Sequence, residues 1–151
     1  MGTNGLIEKL EEQTEMLEKV VKRYGEKELS KKPEGKWSAK EIVGHLSDCE
    51  MAYGFRIRMA LAQSGNTLYP FDQVLWVKNL AHQEKETKEL VKSFERLRKA
   101  NLAILKDVKD EGWERFGMHT ERGKMTVEGI VRLLAEHFER HLEQVERVAN
   151  D

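Results

Sequence analysis

Thr126-Val-Glu-Gly-Ile-Val-Arg-Leu-Leu-Ala-Glu-His-Phe-Glu-Arg-His-Leu-Glu-Gln-Val-Glu-Arg-Val-Ala149 is the stretch whose reading decides the fold. Ile130, Leu134, Val145 and Val148 recur at helical spacing, and Thr126 stands where a helix N-cap is needed, so a helix is expected to about Ala149. His137 and His141 fall on the same apolar stripe. Residues four apart lie only about 40° apart around a helix, so the two imidazoles project side by side toward the interior. A buried imidazole without a partner costs on the order of 1 to 3 kcal/mol, and a metal ion would supply that partner.

Other segments carry the same period. Leu6, Leu10, Leu17, Val21 and Tyr24 predict a helix over about Asn4 to Tyr24, with Gly25 as its stop and a polar connection to Trp37 that contains Pro33 and Gly35. Trp37 is expected to fold back as an apolar anchor. Ser38 and Glu41 form a capping-box pattern, opening a helix to about Gln63 with Ile42, Leu46, Cys49, Tyr53 and Ala60 inward and His45 on the flank of that stripe. Asp72 is placed to cap a short helix with Val74, Leu75, Trp76 and Leu80, expected to be a packed crossover. A longer helix follows from about Glu86 to Val108, with Leu90, Phe94, Leu97, Ile104, Leu105 and Val108 on one face and Asn101 as the polar exception. Lys109 to Met125 lacks a period and reads as an irregular loop with aromatic anchors. Four long helices and one short one predict an all-α, antiparallel four-helix bundle with a short extra helix in a crossover.

The 151 residues fit a single domain, 1–151, and are 35% charged with a formal net charge of −1. That balance gives no steering toward nucleic acid or an anionic membrane surface. No apolar run reaches the roughly 20 residues of a membrane span, and one cysteine rules out an internal disulfide. The amino-terminal residues lack a secretory pattern, so the cytoplasm is the expected location.

His45, from a different helix, is a third candidate ligand beside His137 and His141. Three neutral imidazoles would leave positions open on a divalent ion for water or substrate. Asp48 and Glu41 lie one turn either side of His45. Asp48 is a candidate to orient the imidazole or take a proton, although acids on helix flanks are usually solvated, and Glu41 reads first as the capping glutamate. Cys49 reads as a small core residue before it reads as a ligand. His82 is expected to be exposed, His119 to sit on a surface loop or border the site, and Arg56 and Arg58 to form surface pairs unless they serve an anionic substrate. Asn101 either meets a ligand or satisfies a backbone group. Against the enzyme stands a non-catalytic bundle that binds a small molecule or protein partner and uses its histidines structurally.

Trp37-Ser38-Ala-Lys-Glu-Ile-Val-Gly-His45-Leu-x-Asp48, then Trp113, Gly123-Lys-Met-Thr126 and His137-x-x-x-His141-Leu-x-Gln144, resembles the DinB-like family over nearly the whole chain. The resemblance implies a four-helix bundle, frequently dimeric, with nickel or zinc held by His45, His137 and His141. It implies bacillithiol or other low-molecular-weight thiol transferases, mycothiol-dependent isomerases or metal-dependent hydrolases. Thiol transfer to an electrophilic small molecule is the leading expectation. Three imidazoles alone suit zinc, nickel, copper, iron or cobalt, so spacing does not choose the ion.

Overall fold

A computed structural model describes residues 2–151. Four long helices, α1 (Thr3–Val21), α3 (Ala39–Ala62), α5 (Thr87–Leu105) and α6 (Val127–Asn150), form the expected bundle, with short helices α2 (Glu26–Ser30) and α4 (Gln73–Asn79) in the connections. Strands β1 (Thr67–Leu68), β2 (Phe116–His119) and β3 (Gly123–Thr126) make a small sheet at one end.

The helix starts follow from their caps. Ser38 Oγ accepts from Glu41 N at 3.1 Å while the Glu41 carboxylate accepts from Ser38 N, closing the capping box of α3. Thr126 accepts from Gly129 N at the start of α6, and Asp72 from Leu75 N at the start of α4. Each cap contributes about 1 kcal/mol by filling an orphan amide. Gly25 is not the stop of α1, which closes on Lys22; Gly25 opens α2 instead, its N–H donating to the Glu28 carboxylate.

Each of α1 and α3 packs between α5 and α6. Ser47 meets Ser93, Glu50 meets Arg98 and Arg58 meets Asn101, so residue numbers rise together along α3 and α5 and these neighbours are parallel. The chain must therefore return along the bundle between them, which is why the α3–α5 connection is long and contains α4. His45 meets His141 while Ile57 and Ala60 share a cluster with Val127 and Ile130, so α3 and α6 are antiparallel.

The interior divides into two apolar clusters. One holds Leu6, Tyr53, Ile57, Trp113 and Ile130 near the sheet; the other holds Leu17, Ile42, Phe94, Phe138 and Val145. Between them lies a polar layer that the sequence reading did not foresee. Arg98 has no exposed surface and donates to Glu50 at 2.7 Å, to Leu10 O and to Gln13 Oε1, while its guanidinium lies over the rings of Phe94 and Phe138. Asn101 donates to the Glu50 carboxylate, and Gln13 to Ala135 O, so the layer ties all four long helices together.

Two further expectations need correction. Lys109–Met125 is not an irregular loop: a 3-10 turn at Asp110–Glu114 leads into an antiparallel β2–β3 hairpin, with β1 added in parallel to β2. Its inward positions on β2 are Gly117 and His119, which hide the apolar alternation of a strand. A Cβ at Gly117 would fall 2.5 Å from the Leu68 side chain, so the close approach of β1 requires glycine. The α4 crossover is likewise less packed than expected, with only Val77 buried and Val74, Leu75 and Leu80 exposed.

Candidate metal centre

α3 and α6 bring His45, His137 and His141 together. His45 is fully buried, and the other two are half-buried. His137 Nε2 lies 3.4 Å from His45 Nε2 and 3.0 Å from His141 Nε2, and one ring nitrogen from each lies within 4.8 Å of the others. Nitrogens bound to a common ion at about 2.0 to 2.1 Å stand about 3.3 Å apart at tetrahedral angles and about 2.9 Å apart at right angles. The spacing therefore fits three nitrogens around one centre. Trp37 lies tilted against His45 at 5.0 Å between centroids and Tyr53 lies alongside His137 at 6.2 Å, giving the cluster aromatic walls.

The protonation states favour ligation. His141 Nδ1 meets Gln144 Oε1 at 2.8 Å; an amide oxygen only accepts, so the ring proton sits on Nδ1 and Nε2 turns a lone pair toward its neighbours. Burial, then the nearby imidazoles of His141, His137 and His82, pushes His45 down to about 3. Burial, then His141, Arg140 and Arg122, takes His137 to about 4. His141 is lowered as well, chiefly by burial, with the Gln144 hydrogen bond opposing. All three rings are neutral at pH 7, the form that binds a metal. His137 Nδ1 is buried without a hydrogen-bond partner.

The remaining candidates are distributed differently from expectation. Asp48 does not orient His45; its carboxylate is buried and pairs with His82 Nε2 at 2.8 Å. His82 is thus not exposed but 5% accessible, and it packs so closely on α3 that a Cβ at Gly44 would lie 2.4 Å from its ring. Glu41 is the capping residue and also pairs with Lys32. Cys49 Sγ is 3.5 Å from His45 Nε2, but burial first, then Asp48 and Glu50, pushes its thiol strongly upward, so it stays protonated. Asn101 serves Glu50 and accepts from Arg58 at 2.8 Å. Arg56 is not a surface pair: it is buried, donates to Tyr69 O at 3.0 Å and lies over the Tyr53 and Phe71 rings. His119 is on strand β2, buried, with Nδ1 accepting from the amides of Glu121 and Arg122, both at 3.1 Å.

Comparison with known proteins places this arrangement in a family. The model of the DinB superfamily matches residues 9–145. The chain belongs to the DinB superfamily. Among curated members, it is 26% identical over 141 residues to the Oceanobacillus iheyensis protein named "Putative metal-dependent hydrolase OB0413", covering 92% of this chain and 80% of that protein. Among solved structures, YfiT from Bacillus subtilis, described as "a probable metal-dependent hydrolase with an unusual four-helix bundle topology", superposes with a TM-score of 0.90 at 20% identity, over 98% of this chain and 86% of that one. A mycothiol-dependent maleylpyruvate isomerase superposes with a TM-score of 0.76 at 10% identity, over 96% of this chain and 61% of that one. The structural likenesses show the DinB four-helix-bundle fold. Among the described residues no helix is long and apolar enough to cross a membrane.

Proposed function

We propose that this DinB-superfamily chain is a divalent-metal-dependent enzyme, with His45, His137 and His141 as the ligands, that joins a low-molecular-weight thiol such as bacillithiol to an electrophilic small molecule. The observation that carries the reading is the convergence of three neutral imidazoles with nitrogens 3.0 and 3.4 Å apart. A divalent ion held there, nickel or zinc in this reading, would acidify a thiol or water and polarise an electrophile.

The chain's own residues do the rest. Burial keeps the imidazoles unprotonated, Gln144 holds the His141 tautomer, and the Trp37 and Tyr53 rings flank the centre. Cys49 is buried and its thiol is pushed upward by that burial, and in this reading the reacting sulfur is brought by a cosubstrate. The fold shared with a thiol-dependent isomerase supports that direction. The names of the curated relatives support a second reading, hydrolysis at the same centre. We also place the protein in the cytoplasm as a homodimer, for which the exposed apolar surface of Met51, Phe55, Tyr69, Val74 and Leu75 offers an interface.

Metal-loaded protein incubated with bacillithiol and a halogenated aromatic or an epoxide tests the reaction type. Metal-dependent formation of the thiol adduct, detected by mass, is the expected result. Turnover that needs no thiol would replace transfer with hydrolysis.

A further inference from the structure

Charge around the three-histidine centre is unbalanced. Arg56 is only 7% exposed, yet among the described residues it has no carboxylate partner; it donates to the Tyr69 carbonyl and meets Tyr53, its guanidinium lying 5.1 Å from the centroid of the same ring that flanks His137. Arg122, in the β2–β3 turn, and Arg140, three residues beyond His137, add their fields at both Tyr53 and His137. Among the described residues neither is ion-paired to a carboxylate, in contrast to Lys9, Arg23 and Lys106. For the buried Arg56, a desolvated cation without a counter-ion is costly, and an incoming anion would supply what the fold leaves out.

His119 adds a directed donor. Its Nδ1 accepts two backbone amides, so the proton is on Nε2, and among the described residues no acceptor meets that N–H. Strand pairing sets His119 opposite Leu68, next to the Tyr69 whose carbonyl Arg56 holds, and burial, then the charges of Arg56 and Arg122, lowers the ring, with Glu121 opposing. Arg56 lines a separate recess with Tyr69, Phe71 and Trp76, and Arg122 opens onto one of about 750 Å³ bounded also by Lys124, Met125, Thr126, Gly129 and Leu133. Gly129, Leu133 and His137 follow one another at four-residue spacing, so the Arg122 recess lies on the face of α6 that carries the histidine centre.

We propose that Arg56, Arg122 and the His119 Nε2–H form an anion subsite beside the three-histidine centre, which holds the carboxylate of the substrate. Arg guanidinium forks match a planar carboxylate, and the aromatic faces of Tyr53 and Phe71 around Arg56 suit an apolar body attached to it. The assignment names the substrate class of the enzyme proposed above and rests on that reading.

Benzoate and its neutral counterpart benzamide are the probes, titrated by NMR into the full chain, both metal-stripped and zinc-loaded. Benzoate is expected to bind at least about ten-fold more tightly than benzamide in both forms, with the His119 Nε2–H resonance shifting. Arg122→Ala, at an exposed position, should weaken benzoate about ten-fold and leave benzamide unchanged; Arg56→Gln should do the same where it folds. Equal affinities for the two probes overturn the subsite. So does benzoate binding that needs zinc and is unaffected by Arg122→Ala, because the ion would then hold the anion. Failure of zinc to bind refutes the metal reading separately, and the metal-free titration still decides this one.

Discussion

Lowering the pH should destabilise the metal-free protein through the histidine centre, by an amount that follows from its burial. The ordinary histidine value is 6.5, and in the fold His45 is held at about 3 and His137 at about 4. Both folded values are depressed, so below pH 6.5 the unfolded chain takes up protons that the native state declines. Stability is therefore fully present above about pH 6.5 and is lost as pH falls toward the folded values. Each such group costs about 1.4 kcal/mol per pH unit, so at about pH 4.5 His45 alone accounts for about 3 kcal/mol. The half-buried His137 adds about 1 kcal/mol after solvent screening. A loss of about 4 kcal/mol is a large part of the roughly 5 to 15 kcal/mol that holds a domain of this kind together. Urea denaturation of metal-free wild type and His45→Leu across this range isolates the effect, since the carboxylates elsewhere are common to both. The wild type should lose about 3 kcal/mol relative to the variant between about pH 7 and 4.5. Parallel curves would refute the argument that burial keeps His45 neutral.

Two further outcomes follow from neighbouring residues. Arg98→Ala leaves Glu50 buried without its cation and should destabilise the fold by about 3 to 5 kcal/mol, whereas the double change Arg98→Met with Glu50→Gln should recover much of that loss; thermal and urea unfolding of the set measures it. Cys49, buried and held as a thiol, should resist iodoacetamide in the native protein and react readily once urea unfolds it, as followed by mass.

Most of the bundle was legible because its helices announce themselves locally. The Ser38–Glu41 box, the Thr126 and Asp72 caps and the apolar stripes of α3 and α6 are all written in short spacings. The convergence of His45 with His137 and His141 was legible from two inward stripes and from the family resemblance. What was missed depends on pairings distant in the chain. His82 looks solvated in its polar run, and only Asp48, 34 residues earlier, explains its burial. The hairpin was hidden because Gly117 and His119 occupy the inward positions where apolar residues would signal a strand. Arg98 did leave a trace: it follows Phe94 by four residues and precedes Leu105 by seven, inside the stripe of α5. A charge at such a position points to a buried partner, here Glu50, rather than to solvent. Arg56 is likewise buried on α3, between Tyr53 and Ala60, where it meets a backbone carbonyl and two aromatic rings rather than an acid.

The central claim, that His45, His137 and His141 hold a divalent ion, is tested most directly by metal binding to the purified chain and to His137→Ala. Wild type should bind one equivalent of nickel or zinc per chain, and the variant should lose about 100-fold or more in affinity while keeping its helical circular dichroism. Stoichiometric binding of undiminished affinity by His137→Ala would contradict the account.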